Sequence, residues 1–359
     1  MDCSSLTFAE PTQTIERNCG VLPRATSAPA LETDAQGTLF LARPDFNDGN
    51  AYLSRLGLPS DQPSEATLVG GSAGKYCLLL DEPRKQLYYL AHNGTFHVAG
   101  TDGQARRATR LLAHGEHAYL QYPHLTLGLD GTLYAAWTTQ GRQVKVYRSI
   151  QAIKSADGDT TWTNLEGESL KSPIVGDETG PTTRVSRDDE FDVPCWLSAF
   201  MAKDGKLHFV YWAKTTPHRQ RYLRYDGATG KQEIDLEPVF QVRKMAEVND
   251  SGVLVADRSV PGSTLYFVSA IDDRKRLACL ASEDNGRTWR EYAISDRTFE
   301  KRVYSIGAAR DVTDEGWIVG TFTDVVEGAK TNKEPNSGRV FLFRIKAQAA
   351  AAVSQRDKM

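Results

Sequence analysis

Side chains that can transfer protons are concentrated in a few short segments of this 359-residue sequence. Five of the seven histidines fall in HGEHAYLQYPH (114–124), AHNG (91–94) and TTPHRQRY (215–222). Histidine is the commonest acid or base near neutral pH, and a neighbouring tyrosine or arginine can complete such a site. The alternative is that these are ordinary surface-loop residues. The candidates for catalysis or substrate binding are His117, Tyr122, His124, His218 and Arg219.

A fourth segment, RDDEFDVPCW (187–196), supplies carboxylates and an indole. Asp189 or Glu190 could act with another carboxylate as an acid and base pair. The acidic run could also bind a structural calcium ion through oxygen ligands, but we favour a solvated loop and expect no other cofactor. Trp196, with Trp212 in a later segment, offers a flat apolar face on which sugar C–H groups pack well.

The elements that must hold these segments are predicted to be β-strands joined by tight turns. Each of six units begins with an apolar run, turns at an acidic or glycine-containing corner and continues with an aromatic-rich run. The units recur about every 45 to 55 residues, with one longer interval before the fourth, which is typical of four-stranded propeller blades. They open with APALETDAQGTLFLARP, YCLLLDEPRKQLYYLAHNG, YPHLTLGLDGTLYAAWTTQG, CWLSAFMAKDGKLHFVYWAK, SGVLVADRSVPGSTLYFVSA and YSIGAARDVTDEGWIVGTFT.

Two of the turns share the pattern S-x-D-x-G-x-T-W. An aspartate in such a turn can accept hydrogen bonds from backbone N–H groups, and the glycine can adopt a positive φ. The threonine and tryptophan then begin the return strand. Two copies of the pattern indicate an internal repeat. One copy is Ser282, Asp284, Gly286, Thr288 and Trp289, and the other is Ser155, Asp157, Thr161 and Trp162 with Asp159 in place of the glycine.

These turns resemble the Asp-boxes, or BNR repeats, of the sialidase superfamily, whose domain is a six-bladed β-propeller. The resemblance implies an all-β propeller over residues 25–346, preceded by an N-terminal segment (1–24) and followed by a C-terminal tail (347–359). Because the last unit offers only three strands, we expect SSLTFAE (4–10) to supply the fourth and to close the ring. Asp-boxes in that family lie between third and fourth strands, on the face away from the active site.

The same resemblance implies a site at one end of the central channel, lined by the starts of the innermost strands and by the loops between second and third strands. Tyr304 opens the sixth unit like the sialidase nucleophile. Arg274, thirty residues earlier, resembles the third arginine of the family's carboxylate clamp. Arg43 and Asp48 follow the first unit's second strand, where the acid/base loop of the family lies.

Three residues that define the sialidase site are replaced in this sequence. Ser27 stands where the family has its first arginine, and Trp196 and Trp212 stand where its fourth blade has a glutamate and a second arginine. Loss of two arginines removes the bidentate clamp that an anionic sugar needs. Loss of the glutamate removes the base that would activate a tyrosine, so Tyr304 is expected to donate a hydrogen bond or a proton.

Three functions remain open for such an altered site. The favoured one is a glycoside hydrolase acting on a glycan other than sialic acid, with a carboxylate pair drawn from Asp48 and Asp189 or Glu190, aided by Tyr304. The second is a polysaccharide lyase, since some Asp-box propellers use His and Tyr as base and acid with an Arg against the uronate. The third is a non-catalytic propeller that binds a glycan or a protein. The lyase candidates here are His117, His124, Tyr122 and Arg219.

Composition argues against other classes of partner. The formal net charge of −3 gives no general attraction to nucleic acid or to anionic membranes, and no apolar run approaches the roughly 18 residues of a membrane span. The first residues have neither a basic start nor an apolar core. We expect an exported protein, periplasmic or extracellular, with its signal peptide absent from this sequence; a cytoplasmic protein is the alternative. None of the five cysteines forms a C-x-x-C pair, so no redox or metal motif is indicated.

Overall fold

The computed structural model of the chain describes twelve stretches of sequence. Regular structure in these residues is β-strand, apart from one short 3-10 helix at Glu237–Phe240. No helix among them is long and apolar enough to cross a membrane. The described residues are 6–9, 30–45, 48–56, 67–71, 75–143, 146–176, 180–186, 195–213, 219–227, 230–240, 252–325 and 339–348.

The strands form six antiparallel sheets, the blades of a six-bladed β-propeller, which confirms the predicted fold class. Strand β1 (Leu6–Ala9) precedes the first blade, which comprises β2 (Ala30–Thr33), β3 (Leu39–Asp45), β4 (Asn50–Leu56) and β5 (Thr67–Gly71). The second blade comprises β6 (Tyr76–Asp81), β7 (Gln86–Ala91), β8 (Thr95–Gly100) and β9 (Ala105–Arg110).

The third blade departs from the four-strand expectation because its last part is split. It comprises β10 (Ala118–Leu127), β11 (Leu133–Gly141), β12 (Tyr147–Ser155), β13 (Trp162–Thr163) and β14 (Ser169–Leu170). The two outermost strands have only two residues each and pair with one another after a tight turn, in which the Asn164 side chain accepts a hydrogen bond from the N–H of Glu168 at 2.8 Å.

The remaining blades have four strands each. The fourth comprises β15 (Cys195–Lys203), β16 (Lys206–Ala213), β17 (Arg219–Asp226) and β18 (Gly230–Asp235). The fifth comprises β19 (Gly252–Ala256), β20 (Leu265–Ile271), β21 (Arg276–Ser282) and β22 (Arg290–Ile294). The sixth comprises β23 (Arg302–Ala308), β24 (Trp317–Val325) and β25 (Arg339–Lys346), completed by β1.

The N-terminal strand closes the last blade, as the sequence predicted. Strand β1 pairs antiparallel with β25, with Leu6 opposite Ile345 and Ala9 opposite Leu342. The first four-residue strand of the chain thereby supplies the outer strand that the sixth unit lacks. Because β1 covers the edge of β25, the backbone N–H and C=O groups along that edge are paired. Unpaired groups at a sheet edge can otherwise bind another chain and lead to aggregation.

Burial follows strand position within a blade. All seven residues of β20 are buried, and its run LYFVSAI is almost continuously apolar, as expected for a strand packed on both faces. The outer strand β9, ARRATR, is exposed at every position. Neighbouring blades share a core, and in the second and third blades it includes Tyr88, Phe96, Trp137 and Ile153. This packing fixes the two blades against each other and therefore fixes the residues at their strand ends.

Each blade has two edges that differ in what they carry. We call the edge at which the first strand begins the start edge; the second strand ends and the third begins there. The opposite edge is the far edge. In the third blade Tyr147 lies at the start edge and Ser155 at the far edge of the same strand. The two turns that resemble Asp-boxes, called the Asp-box turns below, lie at the far edge, between third and fourth strands, as predicted.

The chain divides into two compact units. Residues 15–196 form one unit, and residues 1–14 with 197–359 form the other. The predicted boundaries of the propeller and its terminal segments stay a prediction. Of the cysteines in the described residues, Cys195 and Cys279 are buried and Cys77 is half-buried, and all three are free thiols. Cys3 and Cys19 lie outside the described residues.

Candidate functional site

Strand β10 is distorted where it enters the third blade. The pairing of β10 with β11 shifts between Gln121 and His124, and Tyr122 takes a φ of 46° in this bulge. A positive φ is uncommon for a bulky residue, and such backbone strain collects at functional sites. The bulge re-aims the side chains at the start edge of this blade. Tyr122 is thereby turned toward residues of other strands.

Lys75 joins the second blade to this distorted segment. It lies immediately before β6, and its ammonium donates hydrogen bonds to the side-chain oxygen of Gln121 and, at 3.2 Å, to the hydroxyl of Tyr147. The same nitrogen lies 3.9 Å from the ring centroid of Tyr122 and 5.3 Å from that of Tyr147. These are cation–π distances. The hydroxyl oxygens of the two tyrosines are 3.4 Å apart.

Trp196 completes this group from the beginning of β15. Its ring centroid lies 3.7 Å from that of Tyr122 and 4.4 Å from that of Tyr147, the latter in an edge-to-face arrangement. Trp196 is only half-buried, so part of the indole is open to solvent. We call Lys75, Gln121, Tyr122, Tyr147 and Trp196 the Lys75 cluster. Three aromatic rings, two hydroxyls and one ammonium thus meet at one start edge.

The partners of Lys75 are all uncharged among the described residues: an amide, a phenol and two aromatic rings. Because no described carboxylate is paired with this ammonium, its attraction is open to an anionic ligand. Such an ammonium attracts a carboxylate or a sulfate, and the aromatic rings offer apolar faces to the rest of a sugar. The arrangement therefore suits an anionic carbohydrate.

Two histidines lie beside the Lys75 cluster. The backbone N–H of His92 donates to the carbonyl of Lys75 at 2.8 Å. Burial lowers the pKa of His92, and the charge of Lys75 lowers it further. Burial likewise lowers the pKa of His114, with added repulsion from His92, Arg110 and Arg142. Both imidazoles are therefore neutral at pH 7, the form in which a histidine can accept a proton.

The hydrogen bond that His114 accepts decides which tautomer it adopts. Its Nδ1 accepts the N–H of Leu120 at 3.0 Å, so in the neutral ring the proton sits on Nε2. His114 therefore presents a donor. His92 lies nearer to Lys75, to whose carbonyl its own N–H is bonded, and a hydrogen bond with the Lys75 backbone partly offsets the lowering of its pKa. Because Nδ1 of His114 already accepts a bond and His92 is the closer of the two to Lys75, His92 is our candidate for a base.

In the first blade the structure brings together Arg43, Asp48 and a tyrosine that the sequence did not single out. The Asp48 carboxylate accepts the hydroxyl of Tyr52 at 2.5 Å and the N–H of Asn50 at 2.8 Å. These bonds, that of Tyr52 foremost, lower the pKa of Asp48. The Arg43 guanidinium lies 5.5 Å from the Tyr52 ring centroid. Asp48 is thus held ionised, which suits a base better than an acid.

The backbone of Arg274 is bonded to the residue that precedes Tyr304. Arg274 lies in the turn between β20 and β21, at a φ of 64°, and its carbonyl accepts the N–H of Val303 at 2.7 Å. Tyr304 is the next residue along β23, opposite Thr323 of β24. The side chain of Arg274 is buried, with 2% of its surface exposed. The side chain of Tyr304 lies outside the described part of the structure, so its predicted direction stays a prediction.

The other predicted residues divide between those that the structure describes and those that it does not. His117 is exposed, and its carbonyl accepts the N–H of Arg142; His124 is half-buried beyond the bulge, opposite Ala136. Trp212 is half-buried near the end of β16, opposite Gln220. Asp189, Glu190, His218 and the side chain of Arg219 lie outside the described residues.

Sequence reasoning missed Lys75, Gln121, Tyr147 and Tyr52. A usable signal existed for Lys75, because the starts of first strands were expected to line the site and Lys75 directly precedes β6. Tyr147 begins a third strand, directly after the loop between second and third strands, and such loops were also expected to line the site. Within the described stretches no three His, Cys, Asp or Glu residues are close enough to hold a metal ion. The calcium hypothesis concerned residues 188–192, which those stretches do not include.

Comparison with known proteins shows the fold alone. No protein-family model and no curated protein sequence matches this chain. A PL25 ulvan lyase structure is similar at 11% identity with a TM-score of 0.63, over 87% of this chain and 77% of that one. A second structure of such a lyase, bound to -[GlcA(1-4)Rha3S]-, has 12% identity, the same TM-score and the same coverage.

A glycosidase has a similar fold as well. The GH93 α-L-arabinofuranosidase of Fusarium graminearum in complex with arabinobiose aligns at 9% identity with a TM-score of 0.52, over 89% of this chain and 92% of that one. At such identities the likeness shows a shared fold, the six-bladed β-propeller, and nothing about activity.

Proposed function

We propose that this protein binds an acidic polysaccharide and cleaves it by β-elimination next to a uronate. The observation that carries the proposal is the Lys75 ammonium, whose described partners are all neutral and which contacts the hydroxyl of Tyr147 and the rings of Tyr122 and Tyr147. The ulvan lyase bound to a glucuronate-containing saccharide supports this choice of substrate class by analogy of fold.

Elimination needs three things from the site. The uronate carboxylate must be neutralised, so that the proton on C5 becomes acidic; a base must take that proton; and an acid must protonate the departing O4. The C5–H bond breaks, a C4=C5 double bond forms, and the C4–O4 bond breaks with its electron pair leaving on oxygen. No water is consumed.

The Lys75 cluster contains groups suited to each task. Lys75 would neutralise the carboxylate, since its ammonium already points at neutral oxygens. Tyr147 and Tyr122, with hydroxyls 3.4 Å apart, can pass a proton between them and deliver one to O4. His92, neutral at pH 7 because its pKa is lowered, is our candidate for the base. Trp196 would pack against the sugar ring.

A glycoside hydrolase is the second candidate, and one observation favours it. Asp48 is a carboxylate at the start edge of the first blade, bonded to Tyr52 and ionised. It could serve as the base of an inverting reaction. The required acid would be Asp189 or Glu190. A site of either kind acts on polysaccharide, which is usually met outside the cytoplasm, and this agrees with our expectation of export.

The experiment that tests the proposal uses the whole chain against a panel of polysaccharides: polygalacturonate, ulvan, debranched arabinan and dextran. Reducing ends and the ultraviolet absorbance of the new double bond are recorded together. Elimination produces both in equal amounts and only from the uronate polymers. Hydrolysis produces reducing ends without the double bond, and would replace the proposal with the second candidate.

Variants locate the activity in the Lys75 cluster. Lys75→Gln and Tyr147→Phe are expected to lower kcat by about 10²- to 10⁴-fold, the usual contribution of a proton-transfer or charge-stabilising group. Lys154→Gln and Tyr134→Phe are the matched controls, because both residues lie at the far edge of the third blade. Lys154 is near the end of β12, and Tyr134 is near the beginning of β11. Equal losses in the controls, or full activity in Tyr147→Phe, would refute the assignment.

A further inference from the structure

A second group of hydrogen-bond donors, two arginines and a histidine, lies beside the Lys75 cluster, at the start edge where the second blade passes into the third. Arg110 ends β9, His114 lies in the connection to β10, and Arg142 follows β11. Arg110 and Arg142 are exposed, and neither forms an ion pair with a carboxylate among the described residues. Cations that gather without carboxylate partners repel one another unless an anion joins them.

The connection that carries these residues is held in place by its backbone. The N–H groups of Leu111 and Leu112 both donate to the carbonyl of Gly94 at 3.0 Å, and the N–H of Ala113 donates to Ile174 at 2.9 Å. A Cβ on Gly94 would meet the carbonyl of Leu112, so this close approach requires glycine. A loop so fixed presents its side chains without a large ordering cost.

Two of these side chains, those of Arg142 and His114, contact one ring, that of Tyr119. The Arg142 guanidinium lies 4.5 Å from its centroid. The His114 ring meets it edge to face at 5.4 Å. The Nε of Arg110 donates to the carbonyl of Leu112 at 3.1 Å, which leaves its other nitrogens as donors. Because Nδ1 of His114 accepts a bond from Leu120, its Nε2–H is a further donor.

We infer that Arg110, His114 and Arg142 form a second anion subsite, which binds the sulfate ester or carboxylate of a sugar unit next to the one at Lys75. We call it the Arg142 subsite. The inference rests on the proposed function, because it makes the substrate a chain with anionic groups on more than one unit. Two guanidinium groups and a neutral imidazole donor match a tetrahedral or planar oxyanion.

The Arg142 subsite is close to the Lys75 cluster by two routes. His92 is bonded to the Lys75 carbonyl, and the pKa of His114 is lowered partly by electrostatic coupling to His92, which shows that the two rings are near each other. Tyr119 and Tyr122 are three residues apart on the same strand, which is about 10 Å of extended chain. One polysaccharide could therefore contact both groups. Glu116 is the carboxylate of the same connection, and it is exposed.

The test measures binding to three polymers by calorimetry: dextran sulfate, polygalacturonate and neutral dextran. The variant is the double substitution Arg110→Gln with Arg142→Gln. Its control is Arg106→Gln with Arg287→Gln, which removes the same charge from exposed arginines, one elsewhere on β9 and one in an Asp-box turn. We expect the first pair to weaken polyanion binding by roughly tenfold or more and the control by less than about twofold.

The two polyanions distinguish the ligand group. Weakening confined to dextran sulfate assigns a sulfate ester, and weakening confined to polygalacturonate assigns a carboxylate. Glu116→Gln should strengthen binding of the same polymer, since it removes a nearby negative charge. The inference is overturned if the unaltered protein binds neither polyanion better than dextran, or if the control pair weakens binding as much as the Arg110 and Arg142 pair.

Failure of this inference and failure of the proposed function give different results. Tyr147→Phe should bind dextran sulfate like the unaltered protein while losing turnover. If no uronate polymer is cleaved but polyanion binding still depends on Arg110 and Arg142, elimination is wrong and the subsite stands. If cleavage occurs with unchanged KM in the double variant, the subsite is wrong and elimination stands.

Discussion

The two ends of strand β12 use polar side chains in opposite ways. At its far edge, Ser155 donates to Asp157 at 2.8 Å, and the N–H of Thr161 donates to the same carboxylate at 2.9 Å. The Trp162 indole then bonds the carbonyl of Asp159 at 3.2 Å. All these contacts lie within eight residues. At the start edge, Tyr147 bonds Lys75, which is 72 residues away in sequence.

The difference separates a structural motif from a candidate site. The far-edge turn joins its serine, aspartate and threonine by bonds within itself, so these bonds can be repeated in another blade, as between Ser282, Asp284 and Thr288. The Lys75 cluster contains residues from three blades, and neutral partners hold its ammonium group. Substitutions in the turn should therefore change the free energy of unfolding, and substitutions in the Lys75 cluster should change the turnover of substrate.

The largest expected effect tests this separation directly. Tyr147→Phe should lower turnover by about 10²- to 10⁴-fold, equivalent to about 3 to 5 kcal/mol of transition-state stabilisation. Its free energy of unfolding should change by less than about 1 kcal/mol, because Tyr147 is half-buried and its hydroxyl can bond water. Urea titrations and initial rates measured on one preparation check both. A large loss of stability with proportionate loss of activity would contradict the separation.

The next effect concerns the second Asp-box, at Gly286. This glycine has a φ of 85°, and a Cβ on it would lie 1.6 Å from the hydroxyl oxygen of Tyr222. Tyr222 cannot yield easily, because it is buried and its hydroxyl bonds Nδ1 of His208 at 2.7 Å. Gly286→Ala should therefore cost about 3 kcal/mol or more, from the positive φ and the overlap together. A denaturation midpoint unchanged from that of the unaltered protein would contradict this account.

The buried His208 behind that turn should make stability depend on pH. Burial lowers its pKa from 6.5 to about 3. Above pH 6.5 both folded and unfolded chains hold a neutral imidazole. As pH falls below 6.5 the unfolded chain gains a proton that the folded chain does not take up until about pH 3. Stability should therefore fall with decreasing pH across this window, by about 1.4 kcal/mol per unit from this group.

His208→Asn isolates that contribution, because the amide can still meet the Tyr222 hydroxyl but does not titrate. The slope of unfolding free energy against pH, measured between pH 6 and pH 4, should become shallower by about 1.4 kcal/mol per unit. Other histidines, such as His97, whose pKa burial also lowers, remain in both proteins and cancel in the difference. An unchanged slope would mean that His208 is protonated in the folded state.

The sequence predicted the far edge of the blades much better than the start edge. The Asp-box turns, their place between third and fourth strands and the closure by β1 were all predictable, because each follows from a local pattern or from strand count. Their hydrogen bonds join residues two to four positions apart, so spacing alone carries the information.

The start edge was predictable only in part, since its geometry depends on long-range packing. Tyr122 and Trp196 were predicted, and they do meet. Lys75 was missed because its partners Gln121 and Tyr147 lie 46 and 72 residues away, and no local pattern records them. The positive φ of Tyr122 arises from a bulge between paired strands, which single-sequence patterns do not reveal.

A smaller effect is expected from the first Asp-box carboxylate. Asp157 accepts the N–H and hydroxyl of Thr161 and the hydroxyl of Ser155, and these bonds, that of the Thr161 backbone foremost, lower its pKa to about 2. Asp157→Ala should destabilise the protein by about 1 to 2 kcal/mol, a modest value because the turn is exposed and water can replace part of what is lost. Polysaccharide turnover should stay unchanged, and any loss of kcat at full stability would contradict the division between edges.

The smallest effect is expected at Asp159, where the two Asp-boxes differ. Asp159 occupies the position of Gly286 and takes a φ of 102°, a conformation that costs a non-glycine residue about 1 kcal/mol or more. It also forms an ion pair with Arg107 on the neighbouring blade. The guanidinium side of this pair is exposed and the Asp159 side chain is largely buried, and partly exposed pairs contribute about 1 kcal/mol. In Asp159→Gly the relief of strain and the loss of the ion pair should nearly cancel, leaving the free energy of unfolding within about 0.5 kcal/mol of that of the unaltered protein.

The control is Arg107→Gln, which loses the ion pair and keeps the strain. It should be the less stable of the two variants. Asp159→Gly could instead lower the free energy of unfolding by more than about 1.5 kcal/mol. The ion pair would then join the second and third blades more strongly than a partly exposed contact should. The first Asp-box would not be the self-contained turn that its hydrogen bonds indicate.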